Sequence, residues 1–374
     1  YFVDGSPMTG DVKLSAGWAT MLVGTLGAGG KGYFVIDVTD PSKFKTLSPS
    51  TLVKRDRTRG NKEAPPNCSA MSDTTQKAAC VAAVDEDKDI GNIVAPPVRS
   101  PSNLQQSTQI TRMNNGRWAV VMGNGYNSPN QRAVLLIQYL DGNKELLRIQ
   151  TSNASTGSDN ANDNGLTSPS LVDLNGDNKV DVAYAGDNLG NLWKFDLTSA
   201  TASNWAVAFG GAPLFTASGP AALNGTTRPK VQPISTPPTV RANDRMKTVG
   251  TGTNAKNVRV GGMMVAFGTG RNVGRTDPES VDVQTLYSVL DNTRYRQITT
   301  PLGKRLEVHP GAGTCPGTSC IPAPTALGAG AATAKLAKRE FIDIDMGDYG
   351  AIKEVDALSE KTWANWNGWY LDLP

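Results

Sequence analysis

The sequence predicts an all-β fold: a modified β-propeller of five or more visible, partly degenerate blades with loop insertions. Three observations carry that prediction. The 374 residues include 39 Gly and 23 Pro, while charged residues make up only 19%, below the ~25% usual for soluble domains. Abundant turn residues with few charges favour many short strands over long helices. A three-part phrase also recurs four times, and self-similarity of that kind marks repeat architectures. Each phrase holds two or three apolar runs, rich in β-branched and aromatic residues and bounded by Gly, Asn and Asp, which is the pattern of antiparallel strands. A unit that small cannot bury both faces of its own sheet, whereas neighbours stacked radially can. A sandwich with fortuitous similarities is the competing architecture; the fixed order of three elements argues against it.

The phrase opens on a small residue or Pro followed by Pro, at Ser6-Pro7, Pro96-Pro97, Ser168-Pro169 and Pro237-Pro238. An apolar strand then runs to a glycine that opens a turn or loop: "WATMLVGTLG", "WAVVMGNGYN", "VDVAYAGDNLG" and "GMMVAFGTGRN", with Gly24, Gly123, Gly186 and Gly268. A second apolar strand closes each phrase: "GYFVIDVTDP", "AVLLIQYLDG", "NLWKFDLTS" and "TLYSVLDN". The segment "REFIDIDMGDYGAIKEVDAL" adds strand-like sequence near the end. Residues 43–90 and 297–340 break the pattern with Pro, Ala, Thr, Gly and interspersed charges, and read as insertions protruding from the blades. The whole span, 1–374, reads as one propeller domain. It starts without Met and ends on a strand-like "GWYLDLP", so the expectation is a fragment of a longer protein.

Net charge is +3, close to neutral for this length, and no Lys/Arg block exceeds two residues. A nucleic-acid or anionic-membrane footprint is therefore not indicated, and no nucleic-acid partner is expected. No stretch approaches the roughly 18 apolar residues that span a bilayer. The four cysteines fall in two local pairs, Cys68 with Cys80 and Cys315 with Cys320, in loop-like sequence. They suit two loop-stapling disulfides and an oxidising compartment; the alternatives are unpaired thiols or a zinc site, for which only the second pair has ligand-like spacing.

The densest chemistry is "DLNGDNKVD", residues 173–181. Counted from Asp173, oxygen donors stand at positions one, three, five and nine as Asp173, Asn175, Asp177 and Asp181, and Lys179 at seven offers its carbonyl. A hard cation such as Ca2+ takes six to eight oxygens, and alternation lets a wrapping chain point every second side chain inward. Gly176 and Asn178 suit the tight backbone such a wrap needs. The Lys179 side chain is expected to point to solvent, and without metal the clustered carboxylates should repel one another. Tyr184 stands where an EF-hand has its bidentate Glu, and a strand follows where a helix would start, so the loop is not an EF-hand. An Asp/Asn turn that needs no ion is the simpler alternative. A second acidic run, Asp85, Asp87 and Asp89, has Ile93 at position nine and reads as a solvated loop.

Taken together, "DGSP" (4–7), "GGKGYFVIDVTDP" (29–41), "DIGN" (89–92), "GRWAVVMGNGYNS" (116–128), "LVDLNGDNKVDVAYAGDNLGNLWKFDL" (171–197), "TLYSVLDN" (285–292) and "GWYLDLP" (368–374) resemble the C-terminal β-propeller of the PilC/PilY family of type IV pilus biogenesis and adhesion proteins. The resemblance covers most of the chain. It implies an exported, pilus-associated protein of the periplasm, outer membrane or cell surface of a Gram-negative bacterium. It implies pilins and other assembly components as partners, with host or surface receptors beyond them, and roles in twitching motility, attachment and the switch between pilus extension and retraction. It also implies a calcium loop whose ligands match Asp173, Asn175, Asp177, Lys179 (carbonyl) and Asp181. Two departures stand out: the Arg-Gly-Asp tripeptide of some members is absent, "TRGNK" at 58–62 being nearest, and the family's von Willebrand A-like N-terminal region is missing.

Two other functions compete. A quinoprotein dehydrogenase-like propeller shares the look of "GNLWKFDL" but needs open calcium positions beside its quinone, while this loop uses up its own ligands. The one histidine, His309, reads as an exposed loop residue, and no Gly-x-Ser-x-Gly elbow, zinc-type histidine cluster or P-loop occurs. The expectation is therefore a protein that is not an enzyme. An integrin-like calcium-binding adhesin would repeat the acidic loop in several blades, and one complete copy is present.

Overall fold

In the computed structural model, which describes residues 3–58, 67–151, 164–222, 225, 227–249, 251–274, 276–300, 303–312, 320–347, 350–357 and 365–373, each recurrent phrase becomes neighbouring antiparallel strands of one sheet. The packing divides into two compact units, one of Tyr1–Asn188, Trp193–Ala212 and Ser235–Pro237, the other of Leu189–Leu192, Pro213–Ile234 and Pro238–Pro374.

The first unit begins with a meander of β1 (Met8–Leu14), β2 (Gly17–Thr25), β3 (Tyr33–Asp37) and β4 (Val53–Asp56), paired in that order. A second meander follows with β5 (Ile110–Arg112), β6 (Trp118–Gly123), β7 (Val134–Tyr139) and β8 (Leu146–Gln150). A third set comprises β9 (Ser170–Val172), β10 (Val182–Gly186), β11 (Asn191–Asp196) and β12 (Ala206–Val207); the first two residues of β11 belong to the other unit. Strand β7 is buried at all six positions, and the split of its side chains explains why. Val134 and Leu136, with Val120 and Met122 of β6, join a core with Val12, Met21, Val23 and Val35 of the first meander. Leu135 and Ile137, with Ala119 and Val121, join another with Ala183, Ala185 and Phe195. Alternate side chains of a strand point to opposite faces, so this sheet is apolar on both because a sheet lies against each. Gly123 closes β6 where a Cβ would stand 1.9 Å from the Thr167 carbonyl oxygen, so close backbone approach requires glycine there.

In the second unit the strands are β13 (Phe215–Thr216), β14 (Ser218–Gly219), β15 (Lys230–Val231), β16 (Thr239–Ala242), β17 (Met246–Val249), β18 (Lys256–Arg259) and β19 (Met263–Gly268). They continue as β20 (Thr285–Asp291), β21 (Tyr295–Thr300), β22 (Gly303–Val308), β23 (Gly328–Ala329), β24 (Ala337–Arg339), β25 (Phe341–Asp345), β26 (Ala351–Val355) and β27 (Gly368–Asp372). The main sheet runs β16-β19-β20-β27-β24, with β24 parallel to β27. The pairs β17-β18, β21-β22 and β25-β26 form two-stranded ribbons. Phe215, Phe267 and Tyr287 pack with ring centroids 5.1 to 6.2 Å apart. Beside them Arg228 grips Asp372 through two hydrogen bonds of 2.9 and 2.8 Å and also reaches the Thr285 and Tyr287 hydroxyls.

The span 43–90, expected as a protruding insertion, supplies β4 and a helix, Thr74–Asp87. Asp73 caps that helix by accepting the Gln76 amide at 2.7 Å, and the Cys68–Cys80 disulfide staples it. Its sequence favours helix but buries no residue, which is why no apolar stripe betrays it. Cys320 is disulfide-bonded as well; Cys315 lies outside the described residues. The span 297–340 holds most of β21, all of β22 and the short β23 and β24.

Candidate metal centre

Residues 173–181 connect β9 to β10, where Val172 faces Val182 across the hairpin. Backbone amides curl around the carboxylate of Asp173: its Oδ1 accepts from Asn175, Gly176 and Asp177 at 3.2, 2.7 and 3.3 Å, and its Oδ2 from Asn178 at 2.7 Å. Gly176 and Asn178 take positive φ, 77° and 62°, as the tight wrap demands. The Asn175 side chain accepts the Asp177 amide at 2.9 Å. Asp181 anchors the far end. It is 1% exposed, its Oδ2 accepts the Leu174 amide at 2.8 Å, and its backbone bonds Val172 and Leu197.

Sequence reading missed Asn114. Its side-chain amide donates to Asp181 Oδ1 at 3.0 Å and to the carbonyls of Val180 and Leu197 at 2.8 and 3.0 Å. It sits in the β5–β6 turn, "RMNNGRW", where Asn-Asn-Gly signals only a hairpin.

Burial pushes the Asp181 carboxyl above the ordinary aspartate range, and the negative charges of Asp173 and Asp177 push the same way against the hydrogen bonds from Asn114 and Leu174. The Lys179 side chain does not point to solvent as expected: its ammonium lies 2.8 Å from Asp177 Oδ2, held there by opposite charge. Four backbone amides hold the Asp173 carboxylate. Among the described residues, no three His, Cys, Asp or Glu side chains converge as a metal-holding group. The hairpin brings the five expected positions into one loop, with Asp173 and Asp177 committed to amide and ammonium partners.

The second acidic run is not a solvated loop. Asp85 and Asp87 end the helix Thr74–Asp87, where Asp87 and Glu86 hold Arg57, itself 8% exposed. Asp89 is fully buried, with Arg132 at 2.8 and 3.0 Å, Arg148 at 2.7 Å and Asn130 at 2.8 Å. The partners come from distant positions, so spacing within the run could not reveal them. His309 is half-buried just past β22 and accepts the Gly311 amide on Nδ1 at 3.0 Å.

Residues 91–308, a span that contains the loop, match the family model described as the PilY1 beta-propeller domain. The chain belongs to the PilY1 β-propeller family. It is 32% identical over 309 residues to the type IV pilus biogenesis factor PilY1 of Pseudomonas aeruginosa (strain PAK), an alignment covering 78% of this chain and 21% of that protein. A PilY1 homolog of Xylella fastidiosa (strain Temecula1) is 31% identical over 304 residues, covering 78% of this chain and 16% of the relative. The chain thus spans about a fifth of the length of the curated PilY1 relatives it matches. The crystal structure of the Pseudomonas aeruginosa PilY1 C-terminal domain superposes with a TM-score of 0.61 at 26% identity, covering all of this chain and 63% of that one. The fold is accordingly a modified β-propeller of the PilY1 kind, and among the described residues no helix is long and apolar enough to cross a membrane.

Proposed function

We propose that this chain is a calcium-binding, non-enzymatic propeller of a type IV pilus biogenesis factor, acting at the surface or in the outer envelope of a Gram-negative bacterium. Pilins and other assembly components are its partners. Its calcium state biases pilus extension against retraction, and through that twitching motility and surface attachment. The pilus assignment rests on family relatives named as pilus biogenesis factors.

One observation carries the calcium reading: a buried aspartate, Asp181, whose charged form is disfavoured by burial and by two neighbouring carboxylates. A divalent cation reverses that balance, and the donor set is all oxygen, as calcium prefers. Asp173, Asn175, Asp177 and Asp181 would hold the ion through side chains and Lys179 through its carbonyl, with the Lys179 ammonium released from Asp177. The ion supplies charge neutralisation. The chain's own residues supply position: Asp173 organises the bend, Asp181 ties it to β9, and Asn114 locks Asp181 to the adjacent turn.

Calorimetric titration with Ca2+, with Mg2+ and EGTA controls, tests this directly. Saturable calcium binding is expected in the parent, and Asp177→Ala should lose most of the affinity while keeping the fold, because the sheets have their own cores. Equal binding by parent and variant rules the site out. In cells carrying the same change in the full-length protein, the expected readout is an altered twitching zone at constant protein level.

A further inference from the structure

The net charge of +3 hides a strong segregation. Residues 241–260 and 294–308 hold nine Lys or Arg against two acids, Asp244 and Glu307, a local surplus of seven that leaves the rest of the chain net negative. These residues form the β17-β18 and β21-β22 ribbons with their immediate flanks. Topology puts both ribbons at one end of the main sheet of the second unit. Successive strands β16, β19, β20 and β27 are antiparallel neighbours, so the β16–β19 and β20–β27 connections that contain them leave from the same end. Arg294, at the root of the second ribbon, donates to the Arg259 carbonyl at 3.3 Å and also to that of Val260, joining the two bases.

The two acids are already matched, Asp244 by Arg241 and Glu307 by Arg296. Lys256, Arg259 and Lys304 are exposed and Arg305 half-exposed, and none of the four has an ion-pair partner among the described residues. Register places them on both faces of each ribbon: Lys256 opposite Val249 and Arg259 opposite Met246 alternate, as do Lys304 and Arg305 opposite Thr299 and Ile298. Between them lie exposed Thr248, Thr251, Thr253, Asn254, Asn257 and Thr299, short side chains that hydrogen-bond phosphate oxygens.

We propose that these two ribbons bind the phosphodiester backbone of duplex DNA without regard to sequence. Charge complementarity identifies a polyanion, and shape narrows it. A flat anionic bilayer meets one face of a ribbon, whereas the major groove, ~12 Å wide, admits a two-stranded ribbon between two phosphate walls and uses cations on both faces. The β17–β18 loop, Thr251 to Ala255, is polar and small, without the Trp or Tyr that anchors a membrane interface.

The test is fluorescence anisotropy of a labelled random-sequence duplex with the purified chain. If four cations each neutralise one phosphate, the logarithmic salt slope is about −3.6, and affinity falls about a hundredfold between 50 and 200 mM salt. The pair Lys256→Gln with Arg259→Gln, and separately Lys304→Gln with Arg305→Gln, should each roughly halve that slope, with melting curves showing an intact fold. Removing two charges elsewhere, at the exposed Lys43 and Lys45, should leave it unchanged. The proposal fails if no duplex binding appears at 50 mM salt, if the slope survives both paired variants, or if the Lys43 and Lys45 changes weaken binding as much. It also fails if the same four residues bind phosphatidylserine vesicles more tightly than the duplex.

Discussion

Asp89 has no exposed surface, yet its carboxyl sits below the ordinary aspartate range. Burial acts to raise it, but hydrogen bonds from Arg132 and Asn130 and the charges of Arg132 and Arg148 outweigh burial. Removing the charge with Asp89→Asn leaves two guanidinium groups facing an amide. Breaking a buried pair costs about 3–5 kcal/mol; because both arginines keep about a fifth of their surface in water, about 2–3 kcal/mol is expected, read as a lower urea midpoint. The sign with pH follows from the depressed value. The contribution is fully present above the unfolded aspartate value, about 3.9, and disappears as pH falls through the lower folded value. The gap between parent and Asp89→Asn should therefore be constant near neutrality and shrink below pH ~4. A gap that stays constant into acid would show that the charge of Asp89 contributes nothing. Neighbouring sequence could not announce this residue, since its partners lie 41 to 59 positions away.

At the scale of elements, strands with their own apolar period were legible and those without it were not. The paired runs around Gly24, Gly123, Gly186 and Gly268 all became adjacent antiparallel strands, because alternation and punctuation are local signals. The helix Thr74–Asp87 stayed hidden because it meets the rest of the unit through the charged residues Asp85, Glu86 and Asp87 at its end and not through an apolar face. In the loop of residues 173–181, the spacing of acidic residues and the left-handed turn at Asn178 were readable, whereas the grip of Asn114 on Asp181 depends on a turn from another sheet. Strand β7 makes the element-scale prediction. Its side chains serve two cores, so Leu136→Ala opens a cavity in one while Leu135 and Ile137 still fill the other. The expected cost is about 3 kcal/mol, with amide exchange accelerated in the β1–β4 meander more than in β9–β11. Equal acceleration on both sides would mean that the cores are not separate.

For the molecule as a whole, calcium is a question of linkage. An ion that binds the folded chain and not the unfolded one stabilises it by mass action, by about 2.7 kcal/mol at a hundredfold excess over the dissociation constant. On the proposed reading, the increment would require no new contact between sheets, because it would come from relieving the charge effects of Asp173 and Asp177 on Asp181. Burial and the charges of Asp173 and Asp177 disfavour the charged form of Asp181, and a bound cation would offset both. The thermal midpoint should accordingly rise by a few degrees in excess calcium and return in EGTA. Asp177→Ala should abolish the rise without lowering the EGTA midpoint much, since it also removes one of the repelling charges. Asp343→Ala, at an exposed acid paired with Lys353 on the β25-β26 ribbon, should keep the full rise. A calcium-dependent rise that persists in Asp177→Ala and vanishes in Asp343→Ala would move the cation site away from the β9–β10 hairpin altogether.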